Sequence, residues 1–334
     1  MGINDIRLTT AEIATLWITY IQNSAMWCFY KHFLQYIQDI EIKAVTEKAL
    51  ISVETNNKKI EMIFTEEKIP IPIGFTDKDI DLTAPALFTD LYALSFVYRG
   101  GQMIMPHYAS VLIKVARSDV VNFFEDCLSN ETKLYRKSLN LMLSKGIYDR
   151  PPKIQYPNEV AFIEQPSSLL ENWLGRGAPL NVIELDELFL AIERNCIGLL
   201  LIIGLLQVSK DKEVKEYLLK GKKLAEKQIE AFNQVLRENE SFPTYPVTME
   251  VTKSTISPFS EKLILFIIST SNQVAMNALI YSMSVSLRKD LVVEYSLFIM
   301  EIMKYGNEGQ KLLIERGWLE QPPQSFFRSD LYKS

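Results

Sequence analysis

The sequence predicts an all-α protein made of two tandem four-helix bundles, each with one long crossover between its second and third helices. Three observations carry this. Only 13 Gly and 14 Pro punctuate 334 residues, too few for an all-β sandwich, a collagen-like fibre or a long disordered tract. Apolar residues recur at helical spacing along most of the chain. The chain also repeats itself at an offset of about 170 residues, the period of a duplicated domain and not of a solenoid unit.

The repeat rests on ordered landmarks. Leu8, Glu12, Asn23, Asp39, Glu41, Lys43 and Glu54 align with Leu180, Glu184, Asn195, Asp211, Glu213, Lys215 and Glu226. After a small shift, Pro85 and Tyr108 align with Pro258 and Tyr281. Arg117-Ser118-Asp119 meets Arg288-Lys289-Asp290, and the segment from Lys145 to Pro152 meets that from Arg316 to Pro323. This organisation sets a first bundle at 1–150, a partly ordered linker at 151–178, a second bundle at 179–324 and a C-terminal tail at 325–334.

The first helix of the first half opens on Thr9-x-x-Glu12, a capping box whose hydroxyl and carboxylate satisfy free backbone N–H groups. It continues through Ile13, Trp17, Tyr20, Trp27 and Leu34. The second helix starts at Asp39, or Asp211 in the second half, each able to cap a first turn. Its inward stripe is Ile42, Val45, Ala49 and Ser52, answered by Val214, Tyr217, Gly221 and Leu224. The third helix is expected near Pro85 or Pro258, since proline is tolerated in a first turn, and the fourth near Asp119 or Asp290. Gly146 and Gly317 close the fourth helices in the left-handed conformation, and the double prolines beyond prevent their resumption.

Between the second and third helices lie Glu66 to Thr83 and Asn239 to Ser257, with Pro70, Pro72, Gly74, Pro243 and Pro246. About 18 extended residues reach roughly 60 Å, more than the ~42 Å of a helix of about 28 residues, so each link can run the full length of a bundle. One-crossover bundles of the ferritin type require such a link. The stretch from Asp149 to Pro179 is proline-rich, yet Ile154, Phe162, Leu169, Leu170 and Trp173 predict that it lies against the bundles.

Composition excludes several functions. A formal net charge of −5 disfavours nucleic-acid binding, which draws on clustered Lys and Arg. Cys28, Cys127 and Cys196 are far apart and form no C-x-x-C pair, so they read as buried hydrophobes in a reducing, cytoplasmic setting. Met1 to Arg7 shows no export pattern, and Ile6 stands where a myristoylation signal needs Ser or Thr. The most apolar run, Cys196 to Leu206, is short of the roughly 20 residues that span a bilayer and reads as a core helix, with no membrane span expected.

Catalytic signatures are absent. A bundle that holds two metals needs inward carboxylates and Glu-x-x-His pairs, but the only histidines, His32 and His107, follow Phe29 and Ile104 at that spacing. No metal, cofactor or catalytic residue is therefore expected. Lys220-Gly221-Lys222-Lys223 resembles the end of a phosphate loop but sits within mixed charge at helical spacing, the pattern of a solvated face.

Polar residues on the core stripes mark the candidate pocket. The second helix leads to Asn56, matched by Gln228; the first passes Asn23, matched by Asn195; the fourth passes Val120, Phe124 and Cys127 to Glu131, matched by Ile302. Asn23 bonded to Asn56, or to a trapped water, would fix helix register. Alternatively Asn23, Asn56, Glu131 and His107 line a site for a polar ligand or one metal ion. Pro106 and Arg99-Gly100-Gly101 would loosen the third helix of the first half only.

Ile71-Pro72-Ile73-Gly74-Phe75-Thr76 in the crossover, the two Arg-x-Asp helix starts and Gly317 to Pro323 resemble a family of duplicated proteins from spore-forming bacilli, itself similar to spore coat protein F. The likeness covers Leu8 to Pro323. It implies a ferritin-like fold and a role in sporulation or coat assembly, in the mother-cell cytoplasm or the coat. Members of that family often carry Glu-x-His on the second helix. Here the places read Glu54-Thr55-Asn56 and Glu226-Lys227-Gln228, so no metal role passes through that motif.

Together these readings predict a non-enzymatic helical interaction or structural protein, its partner an unidentified protein, its two halves packed as an internal pseudo-dimer. Two alternatives stand beside it: a metal-binding protein or oxidoreductase with a degenerate site in the first bundle, and a carrier of a small apolar ligand between helices.

Overall fold

The computed structural model describes residues 6–163, 168, 179–239, 241, 243–244, 251–325, 328 and 332. Eight long α-helices occur among them. They are α1 (Thr10–Tyr36), α2 (Ile40–Glu66), α3 (Asp90–Leu112), α4 (Ser118–Ser144), α5 (Val182–Val208), α6 (Lys212–Glu238), α7 (Glu261–Val285) and α8 (Lys289–Glu315). They form two four-helix units, α1–α4 and α5–α8.

Local chemistry sets most helix ends. Thr9 and Glu12 form the expected capping box, and Asn181 with Glu184 repeats it in the second unit. Asp39 and Asp211 cap α2 and α6, each accepting from two backbone N–H groups. Gly146 and Gly317 stand at φ 68° and 65°, where a side chain would be strained, and the N–H of the next residue returns to the last turn. The third helices start later than proline placement suggests. Thr89 and Ser260 cap α3 and α7, and Pro85 and Pro258 lie before them in the crossovers. α3 is helical throughout, including Gly100, Gly101 and Pro106.

One carboxylate at each end of each unit fastens helix to helix. At one end Glu12 uses Oε2 for its own cap, while Oε1 accepts from the N–H groups of Ala116 and Arg117 at 3.1 and 2.8 Å. Glu184 does the same to Leu287 and Arg288, both at 2.9 Å. At the other end Asp90 accepts from the N–H groups of Gln38 and Asp39, and Glu261 from those of Lys210 and Asp211. The start of α3 therefore lies beside the start of α2. The end of α2 meets the start of α4 through the Glu67–Arg117 pair. The intervening crossover thus runs the length of the unit, as one-crossover bundles require.

The two units face each other across a pseudo-two-fold. The N–H of Asp81 donates to the carbonyl of Pro258 at 2.8 Å, and that of Thr252 to Leu87 at 2.9 Å. In the register set by the caps Thr89 and Ser260, Asp81 is equivalent to Thr252 and Leu87, not the expected Pro85, to Pro258, so the two bonds exchange under the symmetry, the signature of an isologous contact. The bridges Ile80–Phe259 and Phe88–Val251 exchange likewise. Around them Phe29, Phe33, Phe88 and Tyr92 join Ile197, Leu201, Phe259 and Leu263 in one core. Each unit also keeps a core of its own, around Phe64 and Phe124 in the first and Phe232 and Phe298 in the second. Arg99 and Glu193 form a buried ion pair between the units, and Thr270 and Ile21 occupy the mirrored positions, so this contact has no twin.

α1 and α5 are therefore buried on two sides, which explains why α5 is apolar almost all round. By length and composition, α5 and α7 could each cross a membrane, a length that the run Cys196 to Leu206 does not itself reach. Here α5 places Leu188, Ile192, Leu201 and Leu205 in the protein core.

Two tyrosines nest on two glycines in the second unit. Tyr217 and Tyr305 stack at 4.2 Å; a Cβ at Gly309 would fall well inside contact with Tyr217, and one at Gly221 inside contact with Tyr305. Gly309→Ala is expected to cost about 1–3 kcal/mol by overpacking, read from urea denaturation, although alanine favours the helix intrinsically.

The linker departs from expectation. Ile154 and Phe162 are exposed instead of lying against the bundles, as are Tyr156 and Val160. Leu169, Leu170 and Trp173 lie outside the described residues, as does part of the tail at 325–334.

Candidate functional site

The interior of the first unit carries a polar layer to which every helix contributes. α1 supplies Tyr30, α2 Asn56, α3 Tyr108 and α4 Glu131. On α4 the stripe Val120, Phe124, Cys127 steps inward every three or four residues and carries Glu131 with it. On α3 the glycine pair makes the room. A Cβ at Gly100 would sit 3.7 Å from the Tyr30 hydroxyl, and one at Gly101 3.2 Å from Glu131 Oε1. The Asn56 carboxamide lies beside the Tyr108 hydroxyl.

Glu131 is half-buried and has no hydrogen-bond or ion-pair partner among the described residues. Burial pushes its carboxyl up to about 7. Burial also raises both phenols and lifts the Cys127 thiol to about 12, and the nearby Glu131 charge adds to each of these shifts. The phenols and the thiol therefore keep their protons at neutral pH.

The second unit lacks this layer. Ile202, Gln228, Leu279 and Ile302 occupy the equivalent places, all buried. The same chain thus packs the same level with three aliphatic side chains, and the fold does not require the polar version. Burial and capping align Tyr108 with Leu279, two positions from the expected Tyr281, which is 58% exposed. That register hides Tyr108 from sequence reasoning, and Tyr30 reads there as plain core. Aligning the halves on their third-helix caps, Thr89 with Ser260, recovers the exchange.

Of the residues singled out from sequence, Asn56 and Glu131 share the layer. Asn23 is buried but donates to Asn57 at 3.0 Å, not to Asn56, and Asn57 donates in turn to the Tyr20 carbonyl. Asn195 is only half-buried and bonds to the Ala191 carbonyl of its own helix. His107 lies one residue before Tyr108, about 100° around the helix. Its Nε2 has no hydrogen-bond partner among the described residues, and burial, with the Lys114 charge, lowers its pKa. His32 is buried elsewhere, between the units; its Nε2 accepts from the Leu87 N–H, and burial lowers its pKa to about 4. The three cysteines are buried and free. No group of three His, Cys, Asp or Glu side chains that could hold a metal occurs among the described residues.

A second divergence lies outside. The outer face of α8 exposes Val293, Leu297, Met300, Met303 and Ile314. The equivalent positions of α4 are Asn122, Asp126, Ser129, Thr132 and Leu143, equally exposed. On α7 and the turn after it, Ile280, Tyr281 and Leu287 are exposed where α3 and its following turn carry Ala109, Ser110 and Ala116. Met300, Met303, Lys304, Asn307, Glu308 and Lys311 form a nearly flat, open patch along this one helix. At these equivalent positions the first unit thus carries the polar layer inside and the second the apolar row outside.

A family model described as "Protein of unknown function (DUF3231)" matches residues 2–160 and again 168–331. Among solved structures, the chain is similar to a candidate spore coat protein from Bacillus halodurans C-125. That match has 19% identity and a TM-score of 0.42, and covers 46% of this chain and 100% of the other. A search of curated proteins found no match.

Proposed function

The chain belongs to the DUF3231 family, in two copies, and on that premise we propose that it is a non-enzymatic helical protein that acts through contacts of its surface. The observation that carries this reading is the outer face of α8. Isolated exposed apolar side chains need no explanation, but a row of them where the sister unit is polar marks an interaction surface. Neither unit needs that row for its core, because α4 and α8 each bury a separate stripe of their own. The resemblance seen in the sequence directs the reading toward sporulation or coat assembly.

The test compares the purified protein with Leu297→Asp/Met300→Ser/Met303→Thr, which copies the character of α4. The variant is expected to melt within about 3 °C of the parent, since exposed sites away from caps and core shift stability little, and to lose retention on a phenyl matrix. The parent is expected to turn over no member of a panel of peroxides, oxidants and small esters. Reproducible turnover abolished by Glu131→Gln would overturn the reading and move function to the polar layer. So would a stoichiometric iron, manganese or zinc ion retained after metal-replete growth and lost in the same variant.

A further inference from the structure

We propose that the outer face of α8 receives an amphipathic helix of another protein, its apolar stripe flanked by acidic residues that face Lys304 and Lys311. The inference deepens the surface-acting reading and rests on it. Val293, Leu297, Met300, Lys304, Asn307, Lys311 and Ile314 follow one another at alternating steps of four and three residues. That spacing forms a straight seam on a helix and is the register in which a second helix packs. Methionine suits such a seam, because its unbranched thioether adapts to the partner's side chains.

Charge decides what the second helix carries. Lys304, in the seam itself, is exposed and has no ion-pair partner among the described residues. Among the described residues, Lys311 pairs with its own-helix neighbour Glu315 alone, at 3.6 Å. The acids stand to one side of the seam, where Glu301 and Glu308 make exposed surface pairs with Lys227 and Lys220, at 2.5 and 2.7 Å. The charged positions within the seam itself, Lys304 and Lys311, are therefore both positive, in a chain whose net charge is −5. A partner that buries Met300 and Met303 must answer Lys304, since an unpaired charge removed from water is costly.

The same charges disfavour a second copy of this chain. Glu294, Glu301, Glu308 and Glu315 stand along one edge of the seam at seven-residue spacing. An antiparallel two-fold pair would set this row against itself, and a parallel pair would set Lys304 and Lys311 against their own copies. An anionic bilayer would meet the same acidic row. A helix with carboxylates over the lysines and no acid on the glutamate edge avoids both conflicts.

The test uses the full chain and a fluorescein-labelled peptide of three heptads, with leucine at the seam positions and glutamate along the edge that faces the lysines. A twin peptide carries lysine in place of each glutamate. Fluorescence anisotropy is expected to show the acidic peptide binding at least about tenfold more tightly than its twin, a preference that weakens with salt. Lys304→Glu/Lys311→Glu is expected to reverse the preference, and Leu297→Asp to weaken both peptides, with melting curves that show each variant folded. Equal binding of the two peptides, or a preference that survives charge reversal, overturns the inference. Two further results overturn it in favour of another occupant: a dimer in sedimentation that Leu297→Asp dissociates, or binding to phosphatidylglycerol vesicles, lost on charge reversal, without acidic-peptide binding. Each leaves the surface-acting reading standing, whereas turnover dependent on Glu131 removes that reading itself.

Discussion

Glu131→Gln is expected to make the protein more stable than its parent at pH 8, by about 3 kcal/mol, and to leave stability nearly unchanged at pH 4.5. The carboxyl sits inside the first unit with no partner among the described residues, and burial raises its pKa from 4.5 to about 7. Between those two values the folded protein holds a proton that the unfolded chain has released. The stabilisation is complete below about pH 4.5 and is lost as pH rises through about 7. The rise from 4.5 to about 7 corresponds to about 3 kcal/mol. Glutamine keeps the volume and cannot ionise, so the difference between the two proteins isolates this one group. His32 works in the opposite direction. Its folded pKa near 4 lies below the ordinary 6.5, so its contribution is present above 6.5 and lost as pH falls through 4. It is common to both proteins and cancels in the comparison. Urea denaturation across about pH 4.5–8 checks the prediction, and parallel curves for parent and variant would show that Glu131 finds water or a cation in solution.

The parts of this architecture legible in the sequence are those set by local chemistry. The Thr9–Glu12 box, the Asp39 and Asp211 caps and the left-handed Gly146 and Gly317 need only a few neighbouring residues to act, and the structure has each in place. The starts of α3 and α7 are not legible, because Asp90 and Glu261 are held there by the distant turns they fasten. Inwardness on α1 is also obscured. That helix is buried on two sides, so a residue off the stripe, such as Phe29, can be as buried as one on it; its ring lies 4.3 Å from Phe259 of the other unit. Asn23 shows the same limit at finer scale. Its burial follows from periodicity, but the choice between Asn56 and Asn57 as partner depends on helix rotation. The polar layer is half visible, through Asn56 and Glu131. Its phenols look like ordinary core aromatics until each is set beside the aliphatic residue that replaces it.

Loss of the Glu12 carboxylate is expected to cost about 3 kcal/mol at pH 7 and almost nothing at pH 2. The side chain is 1% exposed and lies just beneath the surface, at the turn before α4. Burial by itself would raise this group. The backbone N–H groups of Thr9, Arg117 and Ala116, with the Thr9 hydroxyl, outweigh it and hold the pKa down to about 2, against an ordinary 4.5. Here the unfolded chain takes up the proton first. The stabilisation is therefore present above pH 4.5 and lost as pH falls through about 2, and the fall from 4.5 to about 2 sets its size at about 3 kcal/mol. Glu12→Gln keeps the shape but turns one acceptor into an NH2 donor facing N–H groups, which leaves buried donors unanswered at about 1–3 kcal/mol each. Urea denaturation at the two pH values reads the energy. Hydrogen exchange reads the place, since the amides of Ala116 and Arg117 are the ones released. A loss below about 0.5 kcal/mol at pH 7 would show that these bonds do not hold α1 to the turn before α4. Glu184 makes the same bonds to Leu287 and Arg288 and shares no partner with Glu12. The losses from Glu12→Gln and Glu184→Gln should then add within about 0.5 kcal/mol. A marked shortfall from additivity would mean that opening one unit at this end already opens the other, through the core that joins them.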